Sequence, residues 1–210
     1  MSNYSDFVAD FPQRCLEVLT LAQGPAIIER REVTLLLMAA SAGIVIPYER
    51  LRADARIIQP INDRSLHTDA AHQLDGLLAD RFLGSRLWSP AAGSRCIGEV
   101  QSPAGLPDSW PELKSPPPLD TSVRVRDVLR IIRIGLAHGN ILTQADAFGQ
   151  IAHLIFLCGG FDIKSKKHVT VRFVRVSPSD FLAFLKNWLA ELASVDIPGG
   201  IVLECSDLAA

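Results

Sequence analysis

The chain has 210 residues, 48% of them apolar and only 7% aromatic, with 21 basic and 23 acidic side chains that give a formal charge of -2. That balance excludes a disordered chain, which needs low hydrophobicity and high net charge, and a tail-driven nucleic-acid binder, which needs a large basic surplus. The apolar mass is aliphatic and larger than a monomer of this size ordinarily requires, so it predicts a hydrophobic interface.

The opening MSNYSDFVADF has neither the basic region nor the long apolar run of a secretory signal, and a cytoplasmic location is the expectation. A first helix is predicted from Phe11 to Leu21, with Pro12 in its first turn and Gly24-Pro25 ending it. The second, from Glu29 to about Val45, is apolar on nearly all sides. It reads as the most buried element, too short in its apolar run from Val33 to Ile46 to span a bilayer, with Pro47 marking a break or kink. Ala71, Leu74, Leu77, Leu78 and Phe82 recur at helical spacing and predict a third helix from Thr68 to about Leu87.

From Trp88 to Asp120 the chain turns proline-rich, including Pro116, Pro117 and Pro118, and reads as an insertion running over the surface of a single 1–210 domain. Helical periodicity returns with Asp120 or Thr121 as cap and runs to His138, where Gly139-Asn140 supplies a left-handed stop. IAHLIFLCGG and HVTVRFVRV read as two strands of a hairpin turning through Phe161 to Lys167. A last helix starts at Ser177-Pro178-Ser179-Asp180 and shows Phe181, Phe184, Leu185, Trp188 and Leu192 on one face. The fold class is therefore mainly α, with a small late β-hairpin.

The chemistry is concentrated in VRVRDVLRIIRIGLAHGN. At about 100° per residue, Val125, Val128, Leu129, Ile132 and Leu136 form a core stripe, while Arg126, Arg130 and Arg133 rise from an adjoining one. A solvated face favoured by the helix dipole is the ordinary reading of such a row, but three guanidinium groups offset only by Asp127 also make a local anion site. His138 ends the helix. In a continued helix Arg133 and His138 lie roughly 140° apart, so they converge only if the chain leaves helical geometry near Gly139 or a second protomer supplies one partner.

Arg133-Ile134-Gly135-Leu136-Ala137-His138, followed by Gly139-Asn140, resembles the Arg-x-x-x-x-His motif of the HEPN (higher eukaryotes and prokaryotes nucleotide-binding) superfamily. An apolar helix upstream, a strand-rich piece and a final aromatic helix downstream extend the likeness to a plasmid- and defence-associated branch, over most of the chain except Trp88 to Asp120. The resemblance implies an up-and-down helical bundle that forms a homodimer, with two motifs facing each other across the interface. It implies a metal-independent endoribonuclease, a toxin or phage-defence protein, with RNA as substrate and an antitoxin or other protein as partner. Arg133 and His138 would be the reacting pair, with Arg126, Arg130 and Asn140 as RNA or phosphate contacts. A catalytically inactive RNA-binding, nucleotide-binding or protein-interaction module is the alternative. The polar residue that commonly follows the arginine is replaced here by Ile134. The tyrosine after the histidine, on which adenylylation control depends, is missing.

No cofactor and no metal is expected. Asp69, His72 and Asp75 step along the third helix over about 120° of arc without a fourth ligand. Cys15, Cys96, Cys158 and Cys205 are scattered and read as reduced thiols. His153 reads as a hydrogen-bonded core residue, His67 and His168 as loop residues. Lys164, Lys166, Lys167, Arg172 and Arg175 read as a solvated turn that is also able to grip a phosphate backbone. No phosphate-binding glycine loop is present, and no membrane association is expected.

Overall fold

The computed structural model describes residues 7–51, 68–82, 85–88, 96–101, 103–114, 122–162 and 167–194. His67, Pro116, Pro117, Pro118, Asp120, Thr121, Lys164, Lys166 and Cys205 lie outside these residues. The elements in chain order are α1 (Phe7–Ile28), α2 (Glu32–Leu51), α3 (Thr68–Ala79), β1 (Cys96–Gln101), a 3-10 turn at Pro107–Ser109, α4 (Pro111–Lys114), α5 (Val125–His138), β2 (Ile141–Ala145), β3 (Ile151–Asp162), β4 (Lys167–Val176) and α6 (Pro178–Ala193). The protein is mainly helical, as its periodicity predicts. The β part is larger than a hairpin: it is a four-stranded antiparallel sheet in the order β1-β4-β3-β2.

Gly24-Pro25 does not end α1. Pro25 has no N–H for the carbonyl of Leu21, a loss that is tolerated on the solvent side of the helix, where Leu21 is 78% exposed. The stop comes at Arg30, whose φ of 54° is left-handed, with the Arg31 N–H reaching back to the Ala26 carbonyl at 2.7 Å.

Pro47 likewise lies within α2 rather than breaking it. Nor is α2 buried all round. Leu36, Ala40, Gly43, Ile44, Pro47 and Leu51 form one buried stripe, while Met38 on the other side is 67% exposed and Val18 of α1 is 60% exposed. Because the helix continues through Pro47, it is long and apolar enough by length and composition to cross a membrane, a test that the core helix of a soluble protein also passes.

The third helix stops short of its predicted end because its continuation turns to pair with the entry to α5. The Val125 N–H donates to the Asp80 carbonyl at 3.0 Å and the Phe82 N–H to the Val123 carbonyl at 2.8 Å. Within the span expected as a surface excursion, residues 96–101 form β1 at the sheet edge and residues 103–114 cover one face of the sheet, with Trp110 and Leu113 buried.

Alternation along the strands divides the interior in two. Ile97, Leu154, Phe156, Val174 and Val176 face α5, α6 and the rest of the main core. Cys96, Val100, Ile155, Leu157, Val171 and Phe173 face the other way, onto Trp110 and Leu113. Gly98 of β1 lets this second layer close, since a Cβ there would lie 2.4 Å from the Phe173 ring. At the centre of the main core, α6 begins as predicted, with Ser177 Oγ accepting from the Asp180 N–H at 3.1 Å, and its Phe181, Phe184, Leu185, Trp188 and Leu192 are all buried.

Candidate functional site

The site is built on α5. Its core stripe is as expected, with Val125, Val128, Leu129, Ile132 and Leu136 buried and Ile131 added. It begins at Val125, and Asp127 supplies the acceptor at its start, receiving the Arg124 N–H at 3.4 Å. Gly135 lies against β3. A Cβ at that position would come within 3.1 Å of the Phe156 Cβ and 3.3 Å of the Asn140 carbonyl, so a side chain there would have to push strand or turn away by a few tenths of an ångström, which glycine avoids. The return is made by Gly139 at φ 69°, followed by the Asn140 N–H donating to the Gly135 carbonyl at 2.9 Å.

The arginine row divides. Arg126 is exposed, and its Nε approaches the Leu78 carbonyl at 3.4 Å. Arg130 is exposed. Arg133 turns instead toward α2, where its Nη2 pairs with Glu49 Oε1, and the two side chains are only 23% and 20% exposed. Its Nε is buried without a hydrogen-bond partner among the described residues.

His138 is the last helical residue and is exposed, as is Asn140, whose carbonyl accepts from the Leu157 N–H at 2.9 Å and so begins the sheet. Because α5 keeps helical geometry through His138 and reverses only at Gly139, Arg133 and His138 stay on different sides of it. One chain brings together Arg133 and Glu49, not Arg133 and His138.

Glu49 is the residue that the sequence reading missed. The available signal was a carboxylate interrupting an apolar helix near its end, but its partner lies on another helix and no spacing rule joins them. Asp69 and His72 are exposed on α3, with Asp75 half-buried. Cys15, Cys96 and Cys158 are free thiols. Burial pushes the Cys96 thiol up to about 11, against the smaller opposing influence of Arg175.

His153 has the hydrogen bond expected of it but is half-buried rather than a core residue. Arg175 Nη2 donates to its Nδ1 at 3.1 Å, and Arg175 Nε donates to Gln144 Oε1 at 3.0 Å. Gln144 in turn donates to the Leu113 carbonyl at 3.2 Å, tying the covering segment to the sheet. Since guanidinium only donates, the bonded histidine is neutral with its proton on Nε2. Burial first, and then the Arg175 charge, hold the His153 pKa below its ordinary 6.5. The unfolded chain therefore binds the proton more readily, and stability present above the unfolded value is lost as pH falls through it toward the lower folded value. Thermal melts between pH 7.5 and 5 should show a steeper loss for the wild type than for His153→Gln; parallel curves would refute this linkage.

A protein-family model described as HEPN pEK499 p136 matches residues 1–197. No curated protein and no solved structure matches the chain.

Proposed function

The chain belongs to the HEPN pEK499 p136 family, and from that membership we propose that it is a metal-independent endoribonuclease acting as a homodimer. The four long helices α1, α2, α5 and α6 are read as the superfamily's up-and-down bundle, with β1 to β4 added to it. The observation that carries the reading is the Arg-x-x-x-x-His segment at the end of α5, with an exposed His138 and an Arg133 held in a half-buried ion pair.

In this mechanism an RNA 2′-hydroxyl attacks the adjacent phosphorus. His138 takes the proton or returns it to the leaving 5′-oxygen, since an imidazole serves either role near neutrality. Arg133 stabilises the added negative charge on the phosphorane, and the products are a 2′,3′-cyclic phosphate and a free 5′-hydroxyl. Arg126 and Arg130, exposed on the same helix, hold the RNA backbone by charge, and Asn140 supplies a further polar contact. The Arg133 and His138 that act on one phosphate come from different protomers, because those of one chain diverge. We read the protein as a cytoplasmic toxin or phage-defence factor with an antitoxin or another protein as partner. Ile134, where active relatives commonly carry a polar residue, favours keeping an RNA-binding module without catalysis as the second reading.

Purified protein incubated with single-stranded RNA in EDTA tests the proposal. Cleavage to cyclic-phosphate ends should proceed, and His138→Ala should abolish it. Retained RNA binding without any cleavage would replace the nuclease by the binding module.

A further inference from the structure

We propose that Glu49 is a built-in counter-anion for Arg133: it occupies part of the guanidinium that an RNA phosphate uses, and it is exchanged for that phosphate when RNA binds. The inference rests on the reading of Arg133 as a phosphate ligand and adds a residue that controls the site.

Arginine is suited to phosphate because its planar fork offers paired donors to paired oxygens. In this chain one end of the fork, Nη2, is already taken by Glu49, an anionic acceptor that competes for the same donors as a phosphate. The Nε is buried and meets no acceptor among the described residues, so the end of the fork at which a phosphate can exchange is the one that Glu49 holds. An ion pair in which each side chain is only about one-fifth exposed is poorly screened by solvent. The Glu49 charge therefore acts on whatever approaches Arg133. It opposes a phosphate that the exposed Arg126 and Arg130 on the same helix attract. A carboxylate that merely propped Arg133 in position would have the opposite consequence, since its removal would let the guanidinium wander and binding would weaken.

Glu49→Gln separates the two, because it keeps the size and one acceptor oxygen while removing the charge. The probe is a single-stranded RNA oligonucleotide carrying 2′-O-methyl groups throughout, which lacks the attacking hydroxyl, read by fluorescence anisotropy at low salt with the full chain. Glu49→Gln is expected to bind about fivefold tighter than wild type, with the gain shrinking as salt is added. Arg133→Ala should bind more weakly, and adding Glu49→Gln to it should give little further gain. Unchanged or weaker binding by Glu49→Gln, with Arg133→Ala still impaired, would overturn the counter-anion role and leave the phosphate-binding reading intact. An equal gain with and without Arg133 would also overturn it, by showing a general charge effect. Wild-type affinity in Arg133→Ala would overturn both. If Glu49→Gln is unfolded by thermal melting, Glu49→Asp, whose charge is set back by one methylene, takes its place with a smaller gain expected.

Discussion

Replacing Trp188 by alanine is expected to lower the free energy of unfolding by about 3–5 kcal/mol, the range for removing a large aromatic from a core. Trp188 has no solvent exposure, and its indole Nε1–H donates to the Gly43 carbonyl of α2 at 2.9 Å. Truncation removes the packing and leaves that carbonyl short of a donor inside the core, two costs that add. Trp188→Phe keeps most of the apolar volume and loses the bond, so it should cost roughly 1–3 kcal/mol. Urea denaturation of the two variants measures both values. Equal losses would mean that the hydrogen bond, rather than the packing, dominates. The consequence reaches the site, because α6 fixes α2 through this bond and through Leu189, which would lie 2.9 Å from a Cβ at Gly43. A displaced α2 withdraws Glu49 from Arg133, so on the proposed function RNA affinity should change in Trp188→Phe even where the protein remains folded.

What the sequence made legible follows the range of the interactions. The cap of α6, the glycine stop of α5 and both core stripes depend on residues within a few positions of each other, and each was readable from local pattern. The strand β1 was not readable. Its six residues include Gly98 and lie among prolines, and their pairing partners, Thr170 to Arg175, are on a distant strand. Only that pairing makes CIGEVQ a strand, since tertiary context outweighs weak β propensity. The exposed side of α2 failed for a related reason. Composition established that its residues were apolar but not how many helices would surround it, and the fold supplies neighbours for one stripe. At the site, Arg133 and His138 were found from spacing, whereas Glu49 required the packing of α2 on α5. Part of the apolar surface left uncovered lies in the groove between α1 and α2 lined by Cys15, Val18, Leu35, Met38 and Ala42.

The divergence of Arg133 and His138 leads to the largest expected functional effect, a complementation between two inactive proteins. On the proposed mechanism, Arg133→Ala removes the charge that stabilises the phosphorane, and loss of one such preorganised group costs on the order of 100- to 1000-fold in rate. His138→Ala removes the proton carrier and should cost a further comparable factor on its own, about 100- to 10,000-fold. Each homodimer alone is then nearly silent. When the two are mixed and allowed to exchange subunits, the Arg133→Ala protomer still brings His138 and the His138→Ala protomer still brings Arg133. The mixed dimer thus has one complete composite site and one doubly defective site. With random exchange about half of the dimers are mixed and each has one site of two, so activity should recover to roughly a quarter of wild type. If each active site drew both residues from the same chain, no combination of these protomers would contain an intact pair and the mixture would remain silent. Measuring RNA cleavage before and after exchange therefore tests the subunit origin of the site directly. The expected direction follows from the proposed composite site together with the helix, because α5 continues without a break to His138 and gives a single chain no turn through which its own pair can meet.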